Sequence, residues 1–371
     1  MQPLYGRAAT RSYFLGCSLG GRQGIKAADM FPEDFDGVVA GAPAIDFNKL
    51  YSYRGTILPR TGAVGSANFI TPTVWKTTIH NEVLRQCDKI DGVEDGIIED
   101  PTLCQFNAST LLCQNDPNAA NRTDCLSTAQ VDIVRGILSP LNDAQGNIYW
   151  PGMNPGAEVL AADGLYSGTP WPLTQNWFRY AVYNDPTWDP ATFDLQIDGG
   201  FAERKNPANV RTWPDNLSAF KNRGGKLLLF HGQQDQQISS FHTPMFYDRL
   251  AQGMKLNQTE IDEFARFFRI SGMNHCMTGP GAWLIGQGGG IDVAMAQTLP
   301  FDGEHNVLAA IINWVEDGVA PETITGTKFV NDTLSLGIDF QRRHCRYPLR
   351  NTYKGGGLSP KHSDSWTCTS P

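Results

Sequence analysis

The segment 16–21, Gly-Cys-Ser-Leu-Gly-Gly, is the feature that most constrains how this chain folds. It follows the apolar run Tyr13–Leu15 and fits the pattern G-x-S-x-G, in which a strand turns sharply into a helix and exposes a serine hydroxyl at the turn. Glycines flank such a serine because the strand and the helix approach too closely for side chains and the backbone is strained. Residues 22–32 then predict a helix that ends before Pro32. The sequence therefore predicts a nucleophilic Ser18 at a strand–turn–helix junction.

Two later residues complete the set that acyl transfer by serine requires, which is a base to take the serine proton and an acid to orient that base. Asp235 lies just past the buried strand predicted at 226–231, and His275 follows the strand predicted at 263–270. Both lie in loops at the carboxyl ends of strands, where the ligand crevice of a parallel sheet is found. The order Ser, Asp, His is that of the α/β-hydrolase fold, which we predict here with a mostly parallel sheet.

The base and the acid have alternatives within the chain. The competing candidates are His231 and His242 for the base and Asp248 and Asp262 for the acid. We favour His275 because it follows a strand in a glycine-rich loop at the right point in the order, and Asp235 because it directly follows a buried strand. The backbone N–H of Leu19, the residue after the nucleophile, is expected to be one donor to the oxyanion.

Composition limits the partners and the compartment. A net charge of -8, a pI of about 5.4 and the lack of a basic run argue against nucleic acid. No apolar stretch approaches the roughly 20 residues of a membrane span. Eight cysteines, an even number, and a charged fraction of only 18% favour an oxidising, secretory destination over a cytosolic enzyme with free thiols. Five N-x-S/T sequons point the same way, at Asn107, Asn121, Asn216, Asn257 and Asn331, so we expect a secreted glycoprotein.

The chain divides into three predicted segments. Residues 1–46 contain the nucleophile turn and a second buried strand within 35–43, and residues 206–371 contain the predicted acid, the base and the tail. Residues 47–205 are rich in proline, glycine, asparagine and tryptophan, which predicts a large lid domain inserted between two strands of the sheet. Several strands normally precede the nucleophile in this fold, so we expect an N-terminally incomplete hydrolase domain, with a signal peptide upstream of Met1.

Two cysteines each adjoin a predicted catalytic residue, with Cys17 before Ser18 and Cys276 after His275. A disulfide between them would tether the nucleophile to the base and restrict their relative motion. The alternative is two buried free cysteines beside the motifs. The double adjacency favours the disulfide.

These motifs together resemble one family. The segment 16–21, a late Asp after an apolar strand, the pair His275-Cys276 and the segment 31–43 are similar to the tannase and feruloyl esterase family of secreted aromatic ester hydrolases. The resemblance covers essentially the whole chain. It implies an α/β-hydrolase domain with a lid, a disulfide between Cys17 and Cys276, and a triad of Ser18, Asp235 and His275. Family members have a long region before the nucleophile, so the second oxyanion donor is left unassigned.

Residues 87–99 pack carboxylates and glycines into a short loop, Cys-Asp-Lys-Ile-Asp-Gly-Val-Glu-Asp-Gly-Ile-Ile-Glu. Ca²⁺ prefers about six to eight oxygen ligands on a chain that curls tightly. The candidate ligands are the carboxylates of Asp88, Asp91 and Asp95 and the carbonyls of Val93 and Ile97. The residues alone favour two Asp-Gly turns on an exposed loop, because the spacing is not that of an EF-hand. The resemblance reverses this preference, since family members have a structural Ca²⁺ in the lid at a matching loop.

The remaining cysteines are expected to form local disulfides. Many connectivities are open to eight cysteines, and spacing by itself does not choose among them. Similarity to the family supports the pairs Cys87–Cys104, Cys113–Cys125 and Cys345–Cys368.

We therefore expect a secreted serine carboxylic ester hydrolase that cleaves small-molecule or polysaccharide-linked esters of phenolic acids through an acyl-enzyme. The feruloyl esterase type ranks slightly ahead of the tannase type, and the sequence has no signal for oligomeric state. Two alternatives stay open. One is an inactive, N-terminally truncated esterase fragment, and the other is a non-catalytic protein that binds aromatic esters.

Overall fold

A computed structural model describes residue 6 and residues 8–113, 122–287 and 293–371. Its strands are β1 (Tyr13–Cys17), β2 (Gly37–Gly41), β3 (Leu141–Asn142), β4 (Ile148–Trp150), β5 (Lys226–Gly232), β6 (Ala265–Ile270), β7 (Thr323–Phe329), β8 (Ile338–Cys345), β9 (Arg350–Tyr353) and β10 (Trp366–Thr369). Its α-helices are α1 (Leu19–Met30), α2 (Phe47–Gly55), α3 (Ile57–Thr61), α4 (Pro72–Val74), α5 (His80–Cys87), α6 (Thr128–Leu138), α7 (Glu158–Ala161), α8 (Pro172–Asn176), α9 (Gly200–Lys205), α10 (Ser218–Asn222), α11 (His242–Gly253), α12 (Gln258–Asp262), α13 (Val293–Ala296) and α14 (Val307–Glu316).

The chain forms two compact units. The sheet unit comprises Met1–Ala44, Thr212–Gly232 and Thr243–Pro371, and the insert unit comprises Ile45–Arg211 and Gln233–His242. The chain thus passes from one unit to the other at Ala44/Ile45 and Arg211/Thr212, and residues 233–242 also belong to the insert unit. That short segment groups with the insert unit because its backbone is bonded there. The Nη2 of Arg54 donates to the backbone carbonyl of Gln237 at 2.8 Å. The side-chain amide of Asn154 donates to the backbone carbonyl of Gln233, also at 2.8 Å.

A parallel sheet in the order β1-β2-β5-β6 forms the centre of the sheet unit. Every residue of β2 is buried, and so is every residue of β5 after Lys226. Strands buried on both faces are near-continuous apolar runs, because helices cover both faces of a parallel sheet. The hydrophobic core joins these strands to α14, and its members include Val39, Leu228, Phe230, Phe268, Ile311 and Trp314. The apolar runs of the sequence thus correspond to the strands of a parallel sheet.

The tail of the sheet unit forms two antiparallel pairs, β7 with β8 and β9 with β10, which sequence reasoning did not predict. The sequence of β8, Ile-Asp-Phe-Gln-Arg-Arg-His-Cys, lacks an apolar run, and its burial alternates irregularly. A strand of this kind is specified by its pairing partner more than by its own pattern. The disulfide Cys345–Cys368 joins β8 to β10.

The insert unit is mostly helical. The helix predicted around 73–85 runs from α4 through a π-helical turn at Trp75–Ile79 into α5. A capping box formed by Ser127 and Gln130 starts α6, in agreement with the helix predicted around 128–137. The unit contains the disulfides Cys87–Cys104 and Cys113–Cys125, which are the predicted local pairs. Among the described residues of the chain, no helix is long and apolar enough to cross a membrane.

His344 in β8 predicts a pH dependence of stability. It is fully buried, its Nε2 lies 3.1 Å from the carbonyl oxygen of Ala282, and burial lowers its pKa to about 4. The unfolded chain, with an ordinary histidine pKa, binds this proton more readily than the folded chain, so folding stability falls as the pH drops from 6.5 to about 4. The loss contributed by His344 approaches about 1.4 kcal/mol per pH unit in that window.

The variant His344→Gln keeps an N–H donor for Ala282 and removes the titration. We expect its free energy of unfolding, measured by urea denaturation, to fall less than that of the wild type between pH 6.5 and 4. Equal losses in the two proteins would contradict the assignment to His344.

Candidate active site

Ser18 occupies a strained turn between β1 and α1. Its backbone has φ 62° and ψ -120°, outside the regions that residues other than glycine ordinarily adopt. Hydrogen bonds hold this conformation, because the Ser18 N–H donates to the carbonyl of Gly41 at 2.9 Å and the Ser18 carbonyl accepts from the N–H groups of Arg22 and Ala44, each at 3.0 Å. Strain of this kind persists only where the surroundings over-determine it, and it is concentrated at functional sites.

Two glycines are sterically required at this turn. A Cβ on Gly16 would lie 2.7 Å from the carbonyl carbon of Gly20, and a Cβ on Gly21 would lie 2.4 Å from the carbonyl oxygen of Gly41. Gly20, the second glycine of the G-x-S-x-G pattern, has no atom within 4 Å of such a Cβ. The close approach of helix to sheet therefore depends on Gly16 and Gly21, and Gly21 lies one residue beyond the pattern.

This difference gives a matched pair of variants. Gly21→Ala forces backbone to move against backbone, and we expect it to lower the free energy of unfolding by about 1–3 kcal/mol. Gly20→Ala adds a methyl group in open space within α1, and we expect it to be neutral or to stabilise by up to about 1 kcal/mol. Urea denaturation followed by fluorescence measures both. A Gly20→Ala loss as large as that of Gly21→Ala would contradict this assignment.

His275 lies in a tight loop that follows β6. The Asn274 N–H donates to the carbonyl of Thr278 at 3.0 Å, and Cys276 has a positive φ of 67°. The loop also passes very close to the end of β5, since a Cβ on Gly232 would lie 2.4 Å from the carbonyl oxygens of Met273 and Asn274. The glycine at the end of β5 thus allows the loop after β6 to pass against it.

A disulfide joins the two loops of the sheet unit. Cys17 is bonded to Cys276 across 259 residues of sequence, with their Cα atoms 6.0 Å apart. Because successive Cα atoms are 3.8 Å apart, the Cα atoms of Ser18 and His275 lie within about 14 Å of each other. The structure therefore brings the predicted nucleophile and the predicted base into one neighbourhood, as the adjacent cysteines indicated.

Asp235 follows β5 and is fully buried. Its Oδ1 accepts hydrogen bonds from the backbone N–H groups of Gln237 at 2.7 Å and Ile238 at 2.8 Å. The buried guanidinium of Arg54 bonds the Gln237 carbonyl in the same turn, so an ionised Asp235 has a cation nearby. Burial lowers the pKa of Arg54, and the negative charge of Asp235 opposes that shift. Asp235 belongs to the segment that groups with the insert unit.

The competing acids and bases have structural partners of their own. The Nδ1 of buried His231 lies 2.7 Å from the hydroxyl of Thr243, and His242 is buried with its ring stacked on Trp150 at 4.1 Å between centroids. Asp248 accepts a hydrogen bond from the hydroxyl of Tyr347, and Asp262 pairs with Arg346 while accepting from Tyr247 and Gln258.

Leu19 is the first residue of α1, and its side chain is 45% exposed. The first N–H groups of a helix have no acceptor within the helix, and they lie at the positive end of its dipole. The Leu19 N–H is therefore a suitable donor to a developing oxyanion next to Ser18, and this role stays a prediction.

The acidic loop of the insert unit curls around its own backbone amides. The carboxylate of Asp88 accepts from the N–H groups of Asp95 and Gly96, Asp91 accepts from Val93, and Asp95 accepts from Ile97. Burial raises the pKa of Asp88, and the negative charge of Asp95 adds to that rise. In the described part of the chain, no three His, Cys, Asp or Glu side chains converge as a metal site would require.

Comparison with known proteins identifies the family of this chain. The sequence profile of the family described as tannase and feruloyl esterase matches residues 1–369. The chain belongs to this family. It is 53% identical over 349 residues to a probable feruloyl esterase B-2 of Aspergillus flavus and 47% identical over 364 residues to one of Aspergillus terreus. These alignments cover 94% and 98% of this chain but 65% and 67% of the relatives, so the chain spans about two thirds of their length.

Solved structures show the same fold. The crystal structure of feruloyl esterase B from Aspergillus oryzae matches with a TM-score of 0.91 and 42% identity, covering 98% of this chain and 70% of that one. Tannin acyl hydrolase from Aspergillus niger matches with a TM-score of 0.74 and 20% identity, covering 100% and 67%, and this likeness concerns the fold alone. The predicted α/β-hydrolase fold and the resemblance to a family of carboxylic ester hydrolases are confirmed.

Proposed function

We propose that this chain is a serine carboxylic ester hydrolase acting on esters of phenolic acids, with Ser18 as nucleophile, His275 as base and Asp235 as the acid that orients the base. The disulfide between Cys17 and Cys276 is the observation that supports this most, because it places the strained serine turn and the histidine loop side by side. Membership of the tannase and feruloyl esterase family supports the reaction class.

The proposed mechanism follows from these residues. His275 takes the proton of the Ser18 hydroxyl as the oxygen attacks the ester carbonyl, and the Leu19 N–H donates to the oxyanion. His275 then returns the proton to the departing alcohol, which leaves an acyl-enzyme on Ser18. Water, deprotonated by His275, attacks the acyl-enzyme. As the bond to Ser18 breaks, His275 returns that proton to the serine oxygen, and the aromatic acid is released. The buried Asp235 keeps His275 in the tautomer that accepts from serine.

Ferulate-type esters rank ahead of gallate-type esters in this proposal. The chain is 42–53% identical to proteins named feruloyl esterase B, whereas it is 20% identical to tannin acyl hydrolase. Either substrate is a neutral or weakly charged aromatic ester, which agrees with the chain's lack of a basic run.

Covalent labelling tests the proposal without choosing a substrate. A fluorophosphonate should modify Ser18, as located by peptide mass spectrometry, because it needs only an activated serine and an oxyanion site. Ser18→Ala should form no adduct, and its turnover of methyl ferulate should be at least about 10³-fold slower than that of the wild type. Ser12→Ala, a serine at the start of the same region, is the matched control and should keep both.

Methyl ferulate and methyl gallate, compared by kcat/KM, then decide the substrate type. A folded, disulfide-bonded sample without a Ser18 adduct would overturn the proposal and favour the alternative of an inactive fragment.

Secretion and glycosylation form part of the same proposal. Four disulfides are present, which is typical of proteins that fold in an oxidising compartment. The sequon residues Asn107, Asn216, Asn257 and Asn331 are all exposed, as attached glycans require. The fifth, Asn121, lies outside the described residues.

We also propose that the acidic loop of the insert unit binds a structural Ca²⁺. The types of donor suit this ion, because the carboxylates of Asp88, Asp91 and Asp95 and the carbonyls of Val93 and Ile97 are all oxygens on one short loop. In the structure these carboxylates accept hydrogen bonds from N–H groups of the loop and do not converge, so binding would have to turn them toward the ion. The disulfide Cys87–Cys104 closes this stretch of chain. A bound cation would offset the cost of burying the charged carboxylate of Asp88 and its repulsion by Asp95, which together raise the pKa of Asp88.

Removal of Ca²⁺ should therefore lower thermal stability. With free Ca²⁺ at 100 times its Kd, binding adds about 2.7 kcal/mol, and EDTA should abolish that increment in a melting experiment. Asp95→Asn should weaken the response to Ca²⁺. Glu94→Gln is the matched control, because Glu94 is an exposed residue of the same loop that pairs with Lys89. Identical melting curves with EDTA and with Ca²⁺ would contradict the calcium proposal.

A further inference from the structure

We propose that Gln287 is a positioning residue for the base, and that its buried amide holds the His275–Cys276 segment in place. This inference rests on the proposed function, in which His275 is the base. Gln287 lies at the far end of the loop that follows β6, outside every motif found in the sequence.

Gln287 cross-links the loop through both ends of its amide. The side chain is 1% exposed, and its Nε2 donates to the carbonyl of Cys276 at 3.2 Å and to that of Trp283 at 3.1 Å. Its Oε1 accepts from the N–H of Ile285 at 2.8 Å. One buried side chain thus satisfies two carbonyls and one N–H that would otherwise be costly to bury.

The contact with Cys276 acts on the residue next to the base. Cys276 has a left-handed φ of 67°, which leaves its backbone dependent on the surrounding bonds. Its Sγ is bonded to Cys17, and its carbonyl is held by Gln287. The disulfide holds the side chain of Cys276, and the amide holds the peptide plane that joins Cys276 to Met277. A residue held at both points limits how far the preceding residue, His275, can move.

The hairpin of β7 and β8 supplies a rigid frame for the rest of the loop. Leu284 and Thr327 exchange two backbone hydrogen bonds, at 3.0 and 3.1 Å. The Nζ of Lys328 donates to the carbonyl of Gly279 at 2.5 Å, and it also pairs with Asp332. Because the loop is anchored to this hairpin near Gln287, the amide joins Cys276 to a fixed part of the molecule.

Only an amide of this length meets all three contacts. A methionine side chain has a similar shape but no N–H donor. It would therefore leave the buried carbonyls of Cys276 and Trp283 without a hydrogen bond from this position. An ionised glutamate cannot donate to either carbonyl and would bring a buried charge. A protonated glutamate recovers one O–H donor, which makes its effect depend on pH.

The test compares Gln287→Met with Gln258→Met in the full chain. Gln258 is the matched control because its amide also makes three hydrogen bonds, to Tyr247, Asp262 and Tyr347, at a distance in sequence from the loop. For Gln287→Met we expect kcat for methyl ferulate, and the rate of fluorophosphonate labelling of Ser18, to fall about 10–100-fold, since small misplacements of a catalytic group have effects of this size. KM should change less than about 3-fold, because the amide holds the base rather than the substrate. Gln258→Met should keep wild-type kcat in its folded fraction.

Gln287→Glu is a second variant, and its measured quantity is the pH dependence of kcat. A residue with a purely structural role would not change that dependence. Its kcat relative to wild type should rise as the pH falls through the pKa of the new carboxyl, because protonation restores a donor to the loop. A relative kcat that is flat with pH, or a folded Gln287→Met protein with wild-type kcat, would overturn the positioning role.

Hydrogen exchange separates this inference from the proposed function. Backbone amides of residues 273–284, followed by mass spectrometry, should exchange at least about 10-fold faster in Gln287→Met and at the wild-type rate in Gln258→Met. If the wild type neither labels nor turns over ester, the proposed function fails, and the exchange data still decide whether Gln287 holds the loop. Unchanged exchange in Gln287→Met would overturn the inference whatever the activity.

Discussion

The disulfide between Cys17 and Cys276 is the constraint on which the candidate site depends. It joins two loops that are 259 residues apart in sequence and that contain the predicted nucleophile and the predicted base. Each loop has a strained backbone, with left-handed φ values at Ser18 and Cys276. Hydrogen bonds from β2 hold the first loop, and bonds within the second loop hold the other. The covalent bond adds what neither set of bonds supplies, which is a fixed relation between the two loops.

Close backbone packing makes this arrangement possible. Gly16 and Gly21 let the helix after Ser18 approach the sheet, and Gly232 lets the histidine loop pass against the end of β5. At each of these positions a Cβ would meet backbone rather than a movable side chain. The active-site geometry is therefore specified largely by where side chains are absent. Buried polar side chains such as Gln287 and His344 then bond the carbonyls that the tight loop leaves inside the protein.

The acid of the proposed triad has a different support. Asp235 follows a strand of the sheet unit, but its segment bonds to Arg54 and Asn154 of the insert unit. The orientation of the carboxylate is set by the turn at Gln237 and Ile238, whose conformation those contacts stabilise. Residues of the insert unit thus help to determine the position of a candidate catalytic group.

The sequence by itself determined the parts of this protein that follow from local pattern. The G-x-S-x-G segment, the apolar runs of β2 and β5 and the order of Asp235 and His275 were enough for the fold class, because strands buried on both faces must be continuously apolar. Cysteines next to Ser18 and His275 were enough to favour the disulfide that the structure contains. Only the tertiary structure showed that Gly21 rather than Gly20 is required, that residues 233–242 group with the insert, and that β7 and β8 frame the histidine loop. These features depend on contacts between segments far apart in the chain, and no local pattern of residues encodes which distant backbone atom will lie beside a glycine or a glutamine amide.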